Sequence, residues 1–66
     1  MTVQVNGQPT TLPDGATVAL LLLELKLGEK RVAVEVNRQL VVRKEWPETA
    51  LQEGDRIEVV SFVGGG

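Results

Sequence analysis

Polar and apolar residues alternate from Thr2 to Asn6, with Val3 and Val5 on one side. A period of two sends successive side chains to opposite faces of a strand, so this segment predicts a half-buried β-strand. Asn6-Gly7 follows at once, and that pair accepts the positive φ angles of a two-residue hairpin turn. The return strand is predicted over about Gln8 to Leu12. Pro9 cannot donate a ladder hydrogen bond, which puts this strand at a sheet edge. After the turn chemistry of Pro13-Asp14-Gly15, the period changes to that of a helix. Val18, Leu21, Leu22 and Leu25 fall at i, i+3, i+4 and i+7, so a helix is predicted over Val18 to Leu27 with these four toward the core. Thr17 is its candidate N-cap and Gly28 its candidate terminator. Leu20, Leu23 and Leu27 widen the apolar face, either as core under a neighbouring loop or as an association surface.

The second half alternates again. Val32 to Val36 predicts a strand, Asn37-Arg38 a tight turn and Gln39 to Arg43 a second short strand. Arg43 to Trp46 reads as loop with the Trp46 ring anchored on the core, and Pro47 as its stop. One short helical turn is expected over Glu48 to Gln52, before Gly54-Asp55. Arg56 to Val63 is the most strongly β-forming stretch. Ile57, Val59, Ser61 and Val63 share one face of it, and Glu58, Val60 and Phe62 share the other. A hairpin, a helix and further strands make an α+β domain: a mixed sheet with one helix packed on one face.

Composition narrows what such a domain can do. Its 66 residues are enough for one small domain, which buries only about 60% of the surface exposed when unfolded. They are 42% hydrophobic but only 3% aromatic, so the core is aliphatic. There is no cysteine and no histidine, which removes disulfides, thiol chemistry, the neutral-pH proton shuttle and the common zinc ligands. Nine acidic and seven basic residues give a net charge of −2, which argues against nucleic acid as a partner. The longest apolar run, Val18 to Leu23, is far below the roughly 20 residues that span a bilayer. Met1-Thr2-Val3-Gln4 carries neither a basic nor an apolar leader. A soluble cytoplasmic protein, without membrane contact, is the expectation.

Candidate chemistry is sparse. Ser61 is the only serine and lacks a histidine partner. Asp14 with Glu24, and Glu53 with Asp55, are carboxylate pairs read as solvated surface or turn chemistry. Arg38, Arg43 and Lys44 form a small basic group, either solubilising or a partner contact. The remaining feature is Gly64-Gly65-Gly66. It reads either as a frayed tail or as a thin strand of chain able to enter another protein's active site, since glycine carries no Cβ. On the second reading, an ionised α-carboxylate at Gly66 could attack the α-phosphate of ATP. No helix follows these glycines, so they are not a phosphate-cradling loop.

The run Val34-Glu35-Val36-Asn37-Arg38-Gln39-Leu40-Val41-Val42-Arg43-Lys44-Glu45-Trp46, then Leu51-Gln52-Glu53-Gly54-Asp55-Arg56-Ile57-Glu58-Val59-Val60, then Phe62-Val63-Gly64-Gly65-Gly66, resembles the ThiS family, the sulfur carriers of thiamine biosynthesis. The Asn6-Gly7 hairpin and the Thr17-Val18 helix start fit as well. One departure lies in the first helical turn, where Ala19 and Leu20 stand in place of the glutamate common in the family. The resemblance implies a ubiquitin-like β-grasp domain over residues 1–63, its first and last strands parallel and central, and a flexible glycine tail over 64–66. It implies that an E1-like adenylating enzyme activates the Gly66 carboxylate with ATP and Mg²⁺, both used by that partner and neither bound by this domain. A sulfur donor system would convert the acyl-adenylate to a thiocarboxylate, and thiazole synthase would take the sulfur. The carrier supplies no catalytic side chain on this reading. Alternation along the last strand turns Val60 and Phe62 to the helix-free side, where they read either as docking residues for the adenylating enzyme or as plain strand-forming residues, bare or covered by the Trp46 loop. Two alternatives remain at this point: a carrier like the small subunit of molybdopterin synthase, and a non-carrier binding domain with an inert tail.

Overall fold

The computed structural model describes residues 1–28 and 30–62. The first alternating segment forms β1 (Thr2–Val5), which turns through Asn6 and Gly7, both at positive φ, into β2 (Gln8–Thr11). After Thr17 comes the helix α1 (Val18–Glu24). The second hairpin is β3 (Val32–Val36) and β4 (Gln39–Val41), joined by Asn37 and Arg38 in the left-handed region. A 3-10 helix over Arg43–Glu48 leads on to β5 (Arg56–Ser61).

The five strands make one sheet in the order β2-β1-β5-β3-β4. β1 and β5 are parallel, Val5 beside Ile57, and the other pairings are antiparallel. The expected topology is therefore present, with Pro9 on the outer strand β2. Val3, Val5, Val34, Ile57 and Val59 line the inner face of the sheet, and Val18, Leu21 and Leu22 come down on it from α1. Burying a side chain of this size stabilises by roughly 1.5–3 kcal/mol before conformational entropy is set against it. Trp46 closes one end of the core, buried, with its Nε1–H donating to the Val41 carbonyl at 2.9 Å.

Thr17 caps α1 as predicted, its hydroxyl accepting from the Leu20 N–H at 3.2 Å. The far end differs from expectation. The helix stops at Glu24, and Lys26, at φ +62°, is the left-handed residue that closes it. Lys26 N–H reaches the Leu23 carbonyl and Leu27 N–H the Leu22 carbonyl, at 3.0 and 2.8 Å. These two bonds satisfy carbonyls that a helix end otherwise leaves open, and they swing Leu27 onto the core. The tertiary contact of Leu27 thus fixes the terminus, and Gly28 has no part in it. Leu25, one residue past the helix, is left exposed. Leu20 and Leu27 are core-packed, whereas Leu23 is 68% exposed.

The segment after β4 also departs from the prediction. Arg43 leaves the strand and starts the 3-10 helix, which includes Pro47 rather than stopping at it. A 3-10 turn asks for φ near −60°, which the proline ring imposes. No helical turn forms over Glu48 to Gln52. That stretch bridges to the start of α1: Val18 N–H donates to the Thr49 carbonyl at 3.0 Å and Leu51 N–H to Ala16 at 2.8 Å. Backbone donors there are used between segments, so a local helix would leave the start of α1 unsatisfied. Val63, expected in the last strand, lies outside the described residues.

Candidate functional site

The root of the glycine run is the end of β5, and its position follows from how β5 is held. On one side β1 pairs with it only as far as Val5, and the Asn6 side chain continues the ladder. Asn6 Oδ1 accepts from the Val59 N–H at 2.8 Å and Nδ2 donates to the Val59 carbonyl at 3.1 Å. On the other side β3 runs antiparallel along the whole strand, from Val36 beside Ile57 to Val32 beside Ser61. Beyond Ser61, Phe62 N–H still donates to the Arg31 carbonyl at 2.8 Å. Phe62 is therefore pinned to the sheet. Gly64, Gly65 and Gly66 lie outside the described residues.

Alternation along β5 gives the predicted faces. Ile57 and Val59 are buried under the helix, while Val60 is 55% and Phe62 57% exposed on the helix-free side. Neither is covered by the Trp46 segment. Their neighbours across the strands are Ala33, opposite Val60, and the pair Glu35 and Glu58. Leu40, on β4 opposite Glu35, is 63% exposed on the same side. Leu40 is not among the residues that alternation along β5 singles out, yet the sequence carries a signal for it. A two-residue turn at Asn37-Arg38 sets Val36 against Gln39 and hence Glu35 against Leu40.

The other candidates turn out to be framework. Asp55 Oδ2 accepts from the Gln52 N–H at 2.8 Å and Oδ1 from Asn37 Nδ2 at 3.0 Å. Glu53 accepts from the Thr2 N–H at 2.9 Å. Asp14 lies 3.5 Å from the Met1 ammonium. These carboxylates secure turns and the chain start, as the surface and turn reading holds. Of the basic group, Arg43 stacks 4.5 Å from the centroid of the Trp46 ring and donates to the carbonyls of Gly28 and Lys30 at 3.1 and 2.9 Å. Arg38 sits in the hairpin turn and Lys44 stays at the surface. Among the described residues no group of three or more Asp or Glu could hold a metal ion. No helix among them is long and apolar enough to cross a membrane.

The family model described as ThiS family matches residues 3–66. A thiazole synthase of Magnetococcus marinus is 42% identical over all 66 residues, which amount to 20% of that relative's length. The sulfur carrier protein ThiS of Bacillus subtilis is 37% identical over 65 residues, covering 97% of this chain and 98% of the relative. Among solved structures, the thiamine biosynthesis protein ThiS from Geobacter metallireducens superposes with a TM-score of 0.83 at 35% identity, with both chains covered completely. With the family model matched over residues 3–66 and relatives at this identity covered almost completely, the chain belongs to the ThiS family.

Proposed function

We propose that the domain is a sulfur carrier for building the thiazole of thiamine, and that the Gly66 main-chain carboxylate is its reacting group. The observation that carries this reading is the near full-length similarity to a protein named sulfur carrier protein ThiS. The occurrence of the same domain within a thiazole synthase chain supports thiazole synthase as the recipient and favours this reading over a molybdopterin-type carrier.

The chemistry belongs to the carboxylate and its partners. In an E1-like adenylating enzyme, which binds ATP and Mg²⁺, a Gly66 carboxylate oxygen attacks the α-phosphorus and pyrophosphate leaves. The product is a mixed anhydride. A sulfide nucleophile, delivered by the sulfur donor system, adds to its carbonyl carbon. The bond to the AMP oxygen breaks and the thiocarboxylate remains. Thiazole synthase then takes the sulfur. This domain contributes reach and presentation: Gly64 and Gly65 thread a narrow channel because they lack Cβ, and Val60 and Phe62 dock the adenylating enzyme beside its mouth. No side chain of the carrier enters a bond-making step.

Amidating the C-terminus is the test. The expected outcome is complete loss of adenylation and of the thiocarboxylate product by mass spectrometry, with an unchanged circular dichroism spectrum. An amidated chain that is still converted would sink the reading.

A further inference from the structure

Four residues carry the chain from Phe62 to the Gly66 carboxylate, and they extend at most roughly 14 Å. Where the tip can go therefore depends on what holds Phe62. Its N–H donates to the Arg31 carbonyl at 2.8 Å, the last bond of the sheet toward the glycines among the described residues. Arg31 stands just before β3, between Leu27 and Val32, which both pack on the core. Lys30 and Arg31 themselves are exposed. One turn bond, from the Lys30 N–H to the Leu27 carbonyl at 3.0 Å, joins this stretch to the end of α1.

Arg43 joins the same stretch to the 3-10 helix. Its Nη1 donates to the Gly28 carbonyl at 3.1 Å and its Nη2 to the Lys30 carbonyl at 2.9 Å. One planar group thus grips two carbonyls at once, which a guanidinium does with a rigid fork and an ammonium, a single point charge, does not. The guanidinium lies 4.5 Å from the centroid of the Trp46 ring. That ring is buried, and its own N–H is bonded to Val41, so the surface on which Arg43 stacks is fixed by the core. Arg43 is exposed, and water competes for each of its bonds, so its net effect on stability is small. Its effect on geometry is direct. The Lys30 carbonyl belongs to the peptide unit adjoining the one that holds Phe62.

We infer that Arg43 is a positioning residue for the tail: through Gly28 and Lys30 it fixes the Arg31 carbonyl, and through that carbonyl the point and direction in which the chain leaves the sheet. The assignment rests on the proposed carrier function for the step it serves. Without the clamp the bond at Phe62 opens, and the root retreats to the pair of Ser61 with Val32. One more residue then joins the segment that reaches for the partner's channel. Its tip is spread over a larger volume, which lowers its effective concentration at the reacting site. Val60 lies inside the β5-β3 ladder and keeps its place. Docking is therefore retained, and the loss falls on kcat of adenylation rather than on KM.

The test compares variants of the whole chain, alone and with the adenylating enzyme. Arg43→Met keeps the stem against Trp46 and removes both donors. Its Phe62 N–H is expected to lose hydrogen-exchange protection at least about tenfold, while the Val59 N–H keeps its own. Adenylation of saturating carrier should slow about fivefold, with KM changed by less than about twofold. Arg43→Lys keeps the charge without the fork and should give the same result. Asn37→Gly, at the far end of β3, should leave both the Phe62 exchange and kcat as in wild type. Unchanged Phe62 exchange in Arg43→Met overturns the proposal. So does a kcat loss that Asn37→Gly matches, which would reduce the effect to stability. A loss confined to KM and restored in Arg43→Lys also overturns it, and makes the arginine a charge contact with the partner. Loss of Phe62 protection in Arg43→Met, alongside a wild-type chain that is never adenylated, would uphold the clamp and refute the carrier reading.

Discussion

Two hairpins flank the central strand, and they are built alike at their turns and unlike at their edges. Each turns on an asparagine at positive φ, Asn6 and Asn37, and each asparagine reaches across to β5. Asn6 takes both backbone groups of Val59. Asn37 takes the Arg56 N–H at 3.0 Å and ties it to Asp55. The outer strands then diverge. β2 is polar, with Pro9 among threonines and a glutamine, and such an edge neither pairs further nor adheres. β4 is three residues long, leaves Leu40 exposed and gives way to the 3-10 helix that seats Trp46. One local device thus anchors β5 from both sides, while only the second hairpin adds apolar area beside the tail root.

The largest effect should come from the anchor that belongs to the second hairpin alone. Trp46→Ala opens a cavity at the end of the core, orphans the Val41 carbonyl and removes the ring under Arg43. A loss of about 3–5 kcal/mol is expected, close to the whole stability of a domain this small. Thermal and urea melts would measure it. A loss below about 1 kcal/mol would mean that the two sides of the sheet are equally self-sufficient.

How far these features were legible in the sequence depends on how local their causes are. The strands, both asparagine turns and the Thr17 cap follow from alternation and from residues that satisfy their own neighbours. The two faces of β5 were legible for the same reason, and with them Val60 and Phe62. The end of α1 was not. It is decided by Leu27 swinging onto the core, which makes left-handed Lys26 acceptable where Gly28 looked the natural terminator. The 3-10 helix was missed likewise, because Trp46 folds back to a carbonyl five residues earlier. The motif that resembles the ThiS family proved mostly structural. Asn37, Arg43, Trp46 and Asp55 hold loops in place, so it identifies the family through its framework, whereas Leu40 joined the candidate surface only once two registers were read together.

The asparagines give a finer comparison. Glycine substitutions remove each side chain while leaving positive φ accessible, so they isolate the latch. Asn6→Gly abandons the N–H and C=O of Val59 in a part-buried position and should cost about 2 kcal/mol. Asn37→Gly exposes the Arg56 N–H to water, which replaces the lost partner, and should cost about 1 kcal/mol or less. Hydrogen exchange would separate them further. Val59 N–H should lose protection in the first variant and keep it in the second. Equal losses in both would show that solvent access does not distinguish the two latches.

The smallest effect, and the one that most closely matches the hairpins to each other, lies at the second residue of each turn. Gly7 and Arg38 occupy equivalent positions, at φ +83° and +72°. A residue with a Cβ pays roughly 1–2 kcal/mol in this region, while glycine loses about 0.5–1 kcal/mol more entropy than alanine on folding. The terms oppose each other, and strain is the larger. Gly7→Ala should therefore destabilise by about 1 kcal/mol or less, although nothing stands within 4 Å of the added Cβ. Arg38→Gly should stabilise by a comparable or smaller amount, about 0.5 kcal/mol, because Arg38 makes no side-chain bond that its removal would forfeit among the described residues. Melting temperatures moving in opposite directions, by a few degrees each, are the expected result. If Arg38→Gly instead destabilises, the arginine holds the turn through its guanidinium, and the second hairpin uses a side chain at the one turn position where the first has none.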